Sequence, residues 1–204
     1  MTPGRDGGRT GTIDRVGPGP EALARDPEVR VTLRDGASIR VRPIRPDDEE
    51  RLLALCRRLS PQTVYQRFFS FRRLPPEEAH AFANVDYRQR MAVVAEVVDA
   101  QTPTLIGVAR YGPSEDGTAD IGLIVEDRWQ GLGLGSLLLE QILAAGERRG
   151  IDWFSADVLA DNRRALRLLA RHTAITRRVT SDGVTSLVFR RAAASAEATT
   201  PRVA

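Results

Sequence analysis

The run Gln130-Gly131-Leu132-Gly133-Leu134-Gly135-Ser136 places three glycines at alternate positions just ahead of an apolar stretch, Leu137-Leu138-Leu139. Glycine lets the backbone take positive φ and come close to a bulky ligand. A helix opening there turns its unpaired N–H groups and the positive end of its dipole toward the turn. The chemistry this predicts is anion binding by main-chain N–H groups, a diphosphate above all, with the Ser136 hydroxyl as a further donor. As a dinucleotide fingerprint the run fails at its third site, where Ser136 stands in place of Gly or Ala, and no βαβ half precedes it. A tight turn with no ligand is the competing reading.

The elements that must position this turn follow from periodicity. Val29, Val31 and Leu33 alternate, as do Ile39 and Val41 beyond Asp35-Gly36, which predicts an N-terminal hairpin. Asp47, with Glu50 three residues on, predicts a capped helix carrying Leu52, Leu55, Cys56 and Leu59 inward. Cys56 on that stripe is a packing residue rather than a nucleophile. Ser60-Pro61 and Pro75-Pro76-Glu77-Glu78 open two more short helices, the first running through Tyr65, Arg67, Phe68 and Phe69. Strands are predicted over 90–98, 105–111 and 119–125, with turns at 99–104 and 114–117. A helix over 135–149, a strand over 151–158, a helix over 161–172 and a final hairpin follow. The class is α/β (α+β), with a central mixed sheet, mostly antiparallel, flanked by helices and holding one βαβ crossover. Residues 1–28, rich in Gly and Pro, and 191–204, rich in Ala and Thr, read as a flexible lead and tail around a single domain at 29–190.

Composition removes several classes. The 204 residues carry 30 basic side chains and a net charge of +3, and every basic residue is arginine. Without lysine there is no Walker A amine, no pyridoxal Schiff base and no lysine aldolase. The arginine pairs are scattered, so a nucleic-acid partner is not expected, and the bias suits a GC-rich bacterial genome. One cysteine makes no internal disulfide, and two histidines do not supply an ordinary zinc site, so no metal is expected. No run of 18 apolar residues predicts a membrane span, and no secretory leader follows Met1, which points to the cytoplasm.

Gln130-x-x-Gly133-x-Gly135, between a strand and a helix, resembles the cofactor motif of the GCN5-related N-acetyltransferases, the GNAT superfamily. Asp161-Asn162-x-x-Ala165-x-x-Leu168 is similar to that family's next motif helix. Val41-Arg42-Pro43-Ile44-Arg45-Pro46-x-Asp48 looks like its first strand and loop. Three motifs in order cover about residues 29 to 190. Leu59-Ser60-Pro61, Tyr65-x-Arg67-Phe68-Phe69 and Asn84-Val85-Asp86-Tyr87 are closest in look to the acetyltransferase domain of bacterial Pat-type protein-lysine acetyltransferases.

The resemblance implies acetyl-CoA as the acyl donor. Main-chain groups of Leu123, Ile124 and Val125 would pair with its pantetheine arm, the Val125 N–H facing the thioester oxygen. Gly131, Leu132, Gly133, Leu134, Gly135 and Ser136, with Gln130, would cradle the pyrophosphate, and Asn162 would touch the pantetheine, its competing role being a helix start beside an Asp161 cap. Where relatives place a glutamate base, this chain has Asp120, one methylene shorter, which implies a water-assisted base. Glu126, Glu96 and His80 are the fallback bases. The family's tyrosine acid falls on Leu169, and its usual Gly-Phe is Thr173-Ala174 here. Tyr65, Arg67, Phe68 and Phe69 either line the acceptor cleft or pack in the core, and His172 reads as a surface or packing residue. The acceptor implied is a primary amine, a protein lysine first. The alternatives are a small-molecule amine acetyltransferase and a non-catalytic acyl-CoA sensor.

Overall fold

The computed structural model describes residues 26–33, 35–98 and 103–192. Nearly all of the expected lead and tail, and most of the 99–104 turn, lie outside the described residues. Eight strands form one sheet in the order β1-β2-β3-β4-β5-β6-β8-β7. In chain order they are β1 (Val29–Thr32), β2 (Ser38–Pro43), β3 (Met91–Val97), β4 (Thr104–Pro113), β5 (Ala119–Val125), β6 (Phe154–Leu159), β7 (Thr173–Ser181) and β8 (Val184–Arg191). Among the described residues five α-helices accompany them: α1 (Glu49–Arg57), α2 (Pro61–Phe68), α3 (Pro76–Ala83), α4 (Leu134–Glu147) and α5 (Arg163–His172). All strand pairs are antiparallel except β5–β6, which α4 connects as a βαβ crossover. The mixed, mostly antiparallel sheet and the N-terminal hairpin are therefore as the sequence predicts.

The two faces of the sheet bury different cores. On one face α4 lays Leu134, Leu138, Leu139, Ile142 and Leu143 over Val93, Ile106, Ala109, Ile121 and Val125. A Cβ at Gly107 would sit 2.9 Å from Leu138 Cδ1, so α4 rests on the sheet at a distance only glycine allows. On the other face α1 to α3 pack Leu52, Leu55, Leu59, Leu74, Ala79 and Ala83 against Ala92, Val94, Val108 and Ile124. Because β3 is covered on both sides, its apolar run is continuous rather than alternating.

Two local expectations change. A 3-10 turn over Pro46–Asp48 precedes α1, and Asp48, not Asp47, is the organising acid. Its carboxylate accepts from the Arg45 N–H at 2.9 Å and from the Arg42 guanidinium at 2.7 and 2.8 Å. Pro46 fixes the first turn too tightly for an ordinary Asp47 cap, and the buried cation draws Asp48 inward. The other change is at α5. It is capped by Asn162 itself, whose carboxamide oxygen accepts from the Ala165 N–H at 3.1 Å, so Asp161 is not the cap.

Arg42 is also held by Glu96 of β3 at 3.1 Å, and Glu96 is shared with Arg40 and with Arg51 of α1. Arg42 is 2% exposed and Asp48 and Glu96 are fully buried. Burial alone would raise the Glu96 carboxyl, but hydrogen bonds from Arg42 and Arg51 outweigh it and hold it down at about 2. Asp48 is lowered in the same way: burial opposes, and the Arg42 and Arg45 hydrogen bonds win. The folded pKa values lie below the ordinary carboxylate range of about 4. The network's contribution is thus complete above the unfolded values and is lost as pH falls through the folded ones. Glu96→Gln removes the carboxylate that Arg40, Arg42 and Arg51 share and leaves Asp48 to face Arg42 and Arg51 alone. We expect it to cost about 3–5 kcal/mol in urea unfolding at pH 7, with a smaller loss at pH 3, where the unfolded carboxyl is already protonated while the folded one is not.

Candidate active site

β5 and β6 pair at only two positions, Ala119↔Phe154 and Asp120↔Ser155, and then part. The direction of each β5 main-chain group follows from its two ends. The Ala119 N–H donates toward β6, to the Trp153 carbonyl at 3.0 Å, and the Glu126 N–H donates toward β4, to the Ile106 carbonyl at 2.9 Å. The β4–β5 register between these ends runs without a shift. Direction alternates along a strand, so Leu123 and Val125 turn their amide groups into the gap beside β6. Ile124 turns its own to β4, opposite Val108. Of the three residues expected to meet a pantetheine arm, two present main-chain groups to the gap and the third is engaged in the sheet.

The glycine turn closes the same end of the gap. Gly131 and Gly133 have φ of 82° and 98°. A Cβ at either would meet no protein atom within 4 Å, so glycine is required there by conformation, not by crowding. Gly133 caps α4, and the first helical bond runs from the Leu137 N–H to the Gly133 carbonyl. The N–H groups of Leu134, Gly135 and Ser136 are accordingly the helix's orphan donors. No acidic side chain stands in that first turn, which suits an anionic ligand. Leu134 is fully buried and Leu132 packs on the same core, which fixes the turn from beneath. The donor set therefore fits a diphosphate.

Gln130 has a different part. Its carboxamide donates to the Val125 carbonyl at 3.0 Å and to Thr63 Oγ1 at 3.2 Å, and accepts from Arg164 at 2.6 Å. Its own N–H donates to the Asp127 carbonyl. With its donors engaged, Gln130 holds the turn against β5 and α2. Ser136 is also engaged: its hydroxyl lies 3.0 Å from His172 Nε2, whose Nδ1 is 3.0 Å from Glu140. His172 thus belongs to the cradle's surroundings, a placement that helical periodicity does not reveal.

On the face of β5 opposite α4 stand Asp120, Gly122 and Ile124. Arg110 of β4 is directly across from Gly122, and Arg67 of α2 lies over it. A Cβ at Gly122 would fall 1.9 Å from an Arg67 Nη atom. The Gly122 position is a strand glycine that marks close approach by another group, the one sequence signal that could have linked Arg67 to β5. Burial raises the Asp120 carboxyl above its ordinary range, and the charges of Arg67 and Arg110 oppose but do not cancel this. Burial lowers both guanidinium groups, Arg110 to about 10. Phe68 and Cys56 line the apolar side of this crevice, and burial pushes the Cys56 thiol up to about 11, as suits a packing residue. Tyr65 and Phe69 remain well exposed, so that aromatic cluster divides between crevice and surface.

The fallback bases are held in ion pairs elsewhere. Glu96 lies in the buried network, Glu126 is bound by Arg58 at 2.9 Å and by Arg128, and exposed His80 meets Glu49. Leu169, at the place of the family's tyrosine, is buried in the core. Thr173 opens β7 directly, its hydroxyl donating to the Leu169 carbonyl at 2.7 Å.

The family described as Acetyltransferase (GNAT) domain matches residues 38–173. The chain belongs to the GNAT acetyltransferase family. As such it is an acetyl-CoA-dependent transferase. A Pseudomonas aeruginosa acetyltransferase is 32% identical over 139 residues, covering 67% of this chain and 74% of that protein. Acetyltransferase Pat of Mycolicibacterium smegmatis is 29% identical over 149 residues, covering 72% of this chain, but the match spans only 44% of Pat's length. Among solved structures, the GNAT domain of S. lividans PAT has a TM-score of 0.71 at 33% identity, covering 80% of this chain and 96% of that one. A Salmonella typhimurium protein solved with its cofactor acetyl-CoA shares the fold, with a TM-score of 0.59 at 19% identity, covering 78% and 96%.

The cradle makes a direct prediction for this GNAT domain. Gly133→Ala forces an L side chain to positive φ at a cost of about 1–2 kcal/mol. We expect calorimetric titration to show acetyl-CoA affinity reduced by about tenfold or more, while far-UV circular dichroism stays as in the wild type.

Proposed function

We propose that this chain moves an acetyl group from acetyl-CoA to a protein lysine ε-amine in one direct step, with Asp120 as a water-assisted base. The observation that carries the reading is the placement of Asp120 on β5. It is the carboxylate on the strand whose next residues turn their amides into the gap, and among the described residues no cation lies within ion-pair distance of it. Burial raises its pKa, which makes it a stronger proton acceptor than an ordinary aspartate. Its short side chain is the reason for routing the proton through water.

The thioester supplies an activated carbonyl and a thiol leaving group of ordinary pKa, about 8.5. The chain's own residues do the rest. The Val125 N–H, on the gap side of β5, is offered to the carbonyl oxygen. The Leu134, Gly135 and Ser136 N–H groups, with Gly131 to Gly133, hold the diphosphate. Asn162, fixed as the α5 cap, borders the pantetheine. The amine nitrogen bonds to the acetyl carbon as the carbon–sulfur bond breaks, and the amine proton passes to Asp120. The thiolate departs without a dedicated acid, consistent with a buried Leu169 at the tyrosine's place.

The lysine acceptor rests on likeness to acetyltransferase Pat and to the S. lividans PAT domain. A cytoplasmic setting completes the reading; no helix among the described residues is long and apolar enough to cross a membrane. The test is amine-dependent release of free CoA, followed as thiol, from pH 6 to 9. Asp120→Asn should lower kcat about 10²–10⁴-fold with an unchanged KM for acetyl-CoA, and the acid limb of the wild-type rate should sit above that of an ordinary aspartate, as burial directs. A full rate in Asp120→Asn across that range sinks the assignment. No release with any amine would leave a cofactor-binding domain without catalysis.

A further inference from the structure

The acceptor side of β5 carries more positive charge than it neutralises. Arg67 and Arg110 both reach the floor formed by Gly122, one from α2 and one from the facing position of β4. Both line the narrow crevice that also meets Phe68 and Phe82. Next to it, a cleft of about 220 Å³ between α3 and β4 is lined by Arg90, Arg110 and Asp120. The charges of Arg67 and Arg110 thus both bear on Asp120, and Arg90 lines the same cleft as Arg110. Among the described residues no carboxylate lies within ion-pair distance of Arg67 or Arg110. Each lies over an aromatic ring, Phe68 at 5.2 Å from the Arg67 guanidinium carbon and Phe82 at 3.9 Å from that of Arg110.

Other arginines of this chain are treated differently. Arg42, Arg51, Arg58 and Arg72 each have a carboxylate at hydrogen-bond distance. Glu78, the acid of α3 whose charge reaches Arg110, is committed to Arg72 through two hydrogen bonds at 2.7 and 3.0 Å. Desolvating two guanidinium groups side by side is costly unless an anion joins them. A planar, fork-shaped donor pair of this kind matches a carboxylate in particular. Asp120, two residues before Gly122 on the same face, is the complementary group for the amine.

We infer that the acceptor of this acetyltransferase is a primary amine carrying a carboxylate near it, the amine meeting Asp120 and the carboxylate meeting Arg110 and Arg67. The inference rests on the catalytic reading given above and names the acceptor's chemistry. Two sources present that chemistry, a lysine beside an acidic residue in a protein segment and a free amino acid. In both, the arginine pair selects the acceptor and has no part in the proton transfer. The surplus positive charge also disfavours a bare ammonium ion, so the carboxylate is what makes a cationic amine acceptable to the cleft.

The experiment compares matched pairs by CoA release at saturating acetyl-CoA. One pair set is lysine peptides flanked by Glu or by Gln. The other is free amino acids and the amines that remain when their carboxylate is removed. In at least one set the carboxylate-bearing member should have a kcat/KM higher by about tenfold or more, chiefly through KM, and the set in which this occurs identifies the source. Arg110→Gln and, separately, Arg67→Gln should bring that ratio toward one, with the KM for acetyl-CoA and circular dichroism reporting that each variant is folded. Equal kcat/KM within both sets, with turnover present, overturns the inference and leaves the catalytic reading intact. A ratio that persists in both folded variants also overturns it. Absence of turnover with every amine overturns the catalytic reading and this inference together.

Discussion

Everything in the site depends on β5 leaving β6 after two paired residues. A parallel pair that ran on would bond the Leu123 and Val125 amides to β6 and leave the sheet without a slot. The parting has a physical anchor on each side. β6 is held by β8 along its whole length, six register pairs from Phe154↔Phe189 to Leu159↔Val184. β5 is held by β4 over seven pairs, from Pro113↔Ala119 to Gly107↔Val125. Each strand has one full partner elsewhere, so neither needs the other, and the twist of the sheet opens the gap between them. The cost of unpaired main-chain groups is met by a side chain at one point, where Gln130 donates to the Val125 carbonyl.

The two halves of the site are tied together through the residues between β5 and the glycine turn. Asp127 accepts from the Ser60 N–H at 2.9 Å, from the Ser60 hydroxyl at 2.6 Å and from the Thr63 hydroxyl at 2.7 Å. It thereby secures the N-terminus of α2, the helix that carries Arg67 to Gly122. Burial would raise the Asp127 carboxyl, but the hydrogen bonds from Ser60 and Thr63 hold it low. Gln130 touches the same Thr63 hydroxyl, and Arg58 at the end of α1 binds Glu126 and the Leu105 carbonyl. The glycine turn and the helix bearing Arg67 are thus joined through a few short polar contacts. The buried network around Arg42 does comparable work at the far edge, joining β2, β3, the Pro46 turn and α1.

Much of this was legible in the chain. The alternation at 29–41 and 119–125 and the apolar run at 91–97 mark strands, the Pro61 and Pro76 starts mark helices, and Gly133 and Gly135 mark a turn ahead of a helix. These signals are local: each depends on the periodicity or conformational range of a few neighbouring residues. The likeness to the GNAT family ordered them into one fold. What local pattern missed is where side chains from distant segments meet. Asp48 rather than Asp47 organises the Pro46 turn because its partner, Glu96-bound Arg42, arrives on β2. Gln130 is engaged in holding the turn because Thr63 and Arg164 arrive from α2 and α5. His172 reaches Ser136 across 36 positions of sequence.

The sequence by itself determined the strand and helix order, the glycine turn and the presence of a carboxylate at 120, since these depend on residue type and short spacing. Only the tertiary structure decided which β5 amides face the gap, which glutamates are spent in ion pairs, and that Arg67 and Arg110 stand over Gly122. The physical reason is that main-chain direction and charge pairing are set by contacts between segments far apart in the chain. Residue 122 shows the division most plainly. In the sequence it is a glycine inside a strand; in the fold its missing side chain is the space that a guanidinium occupies.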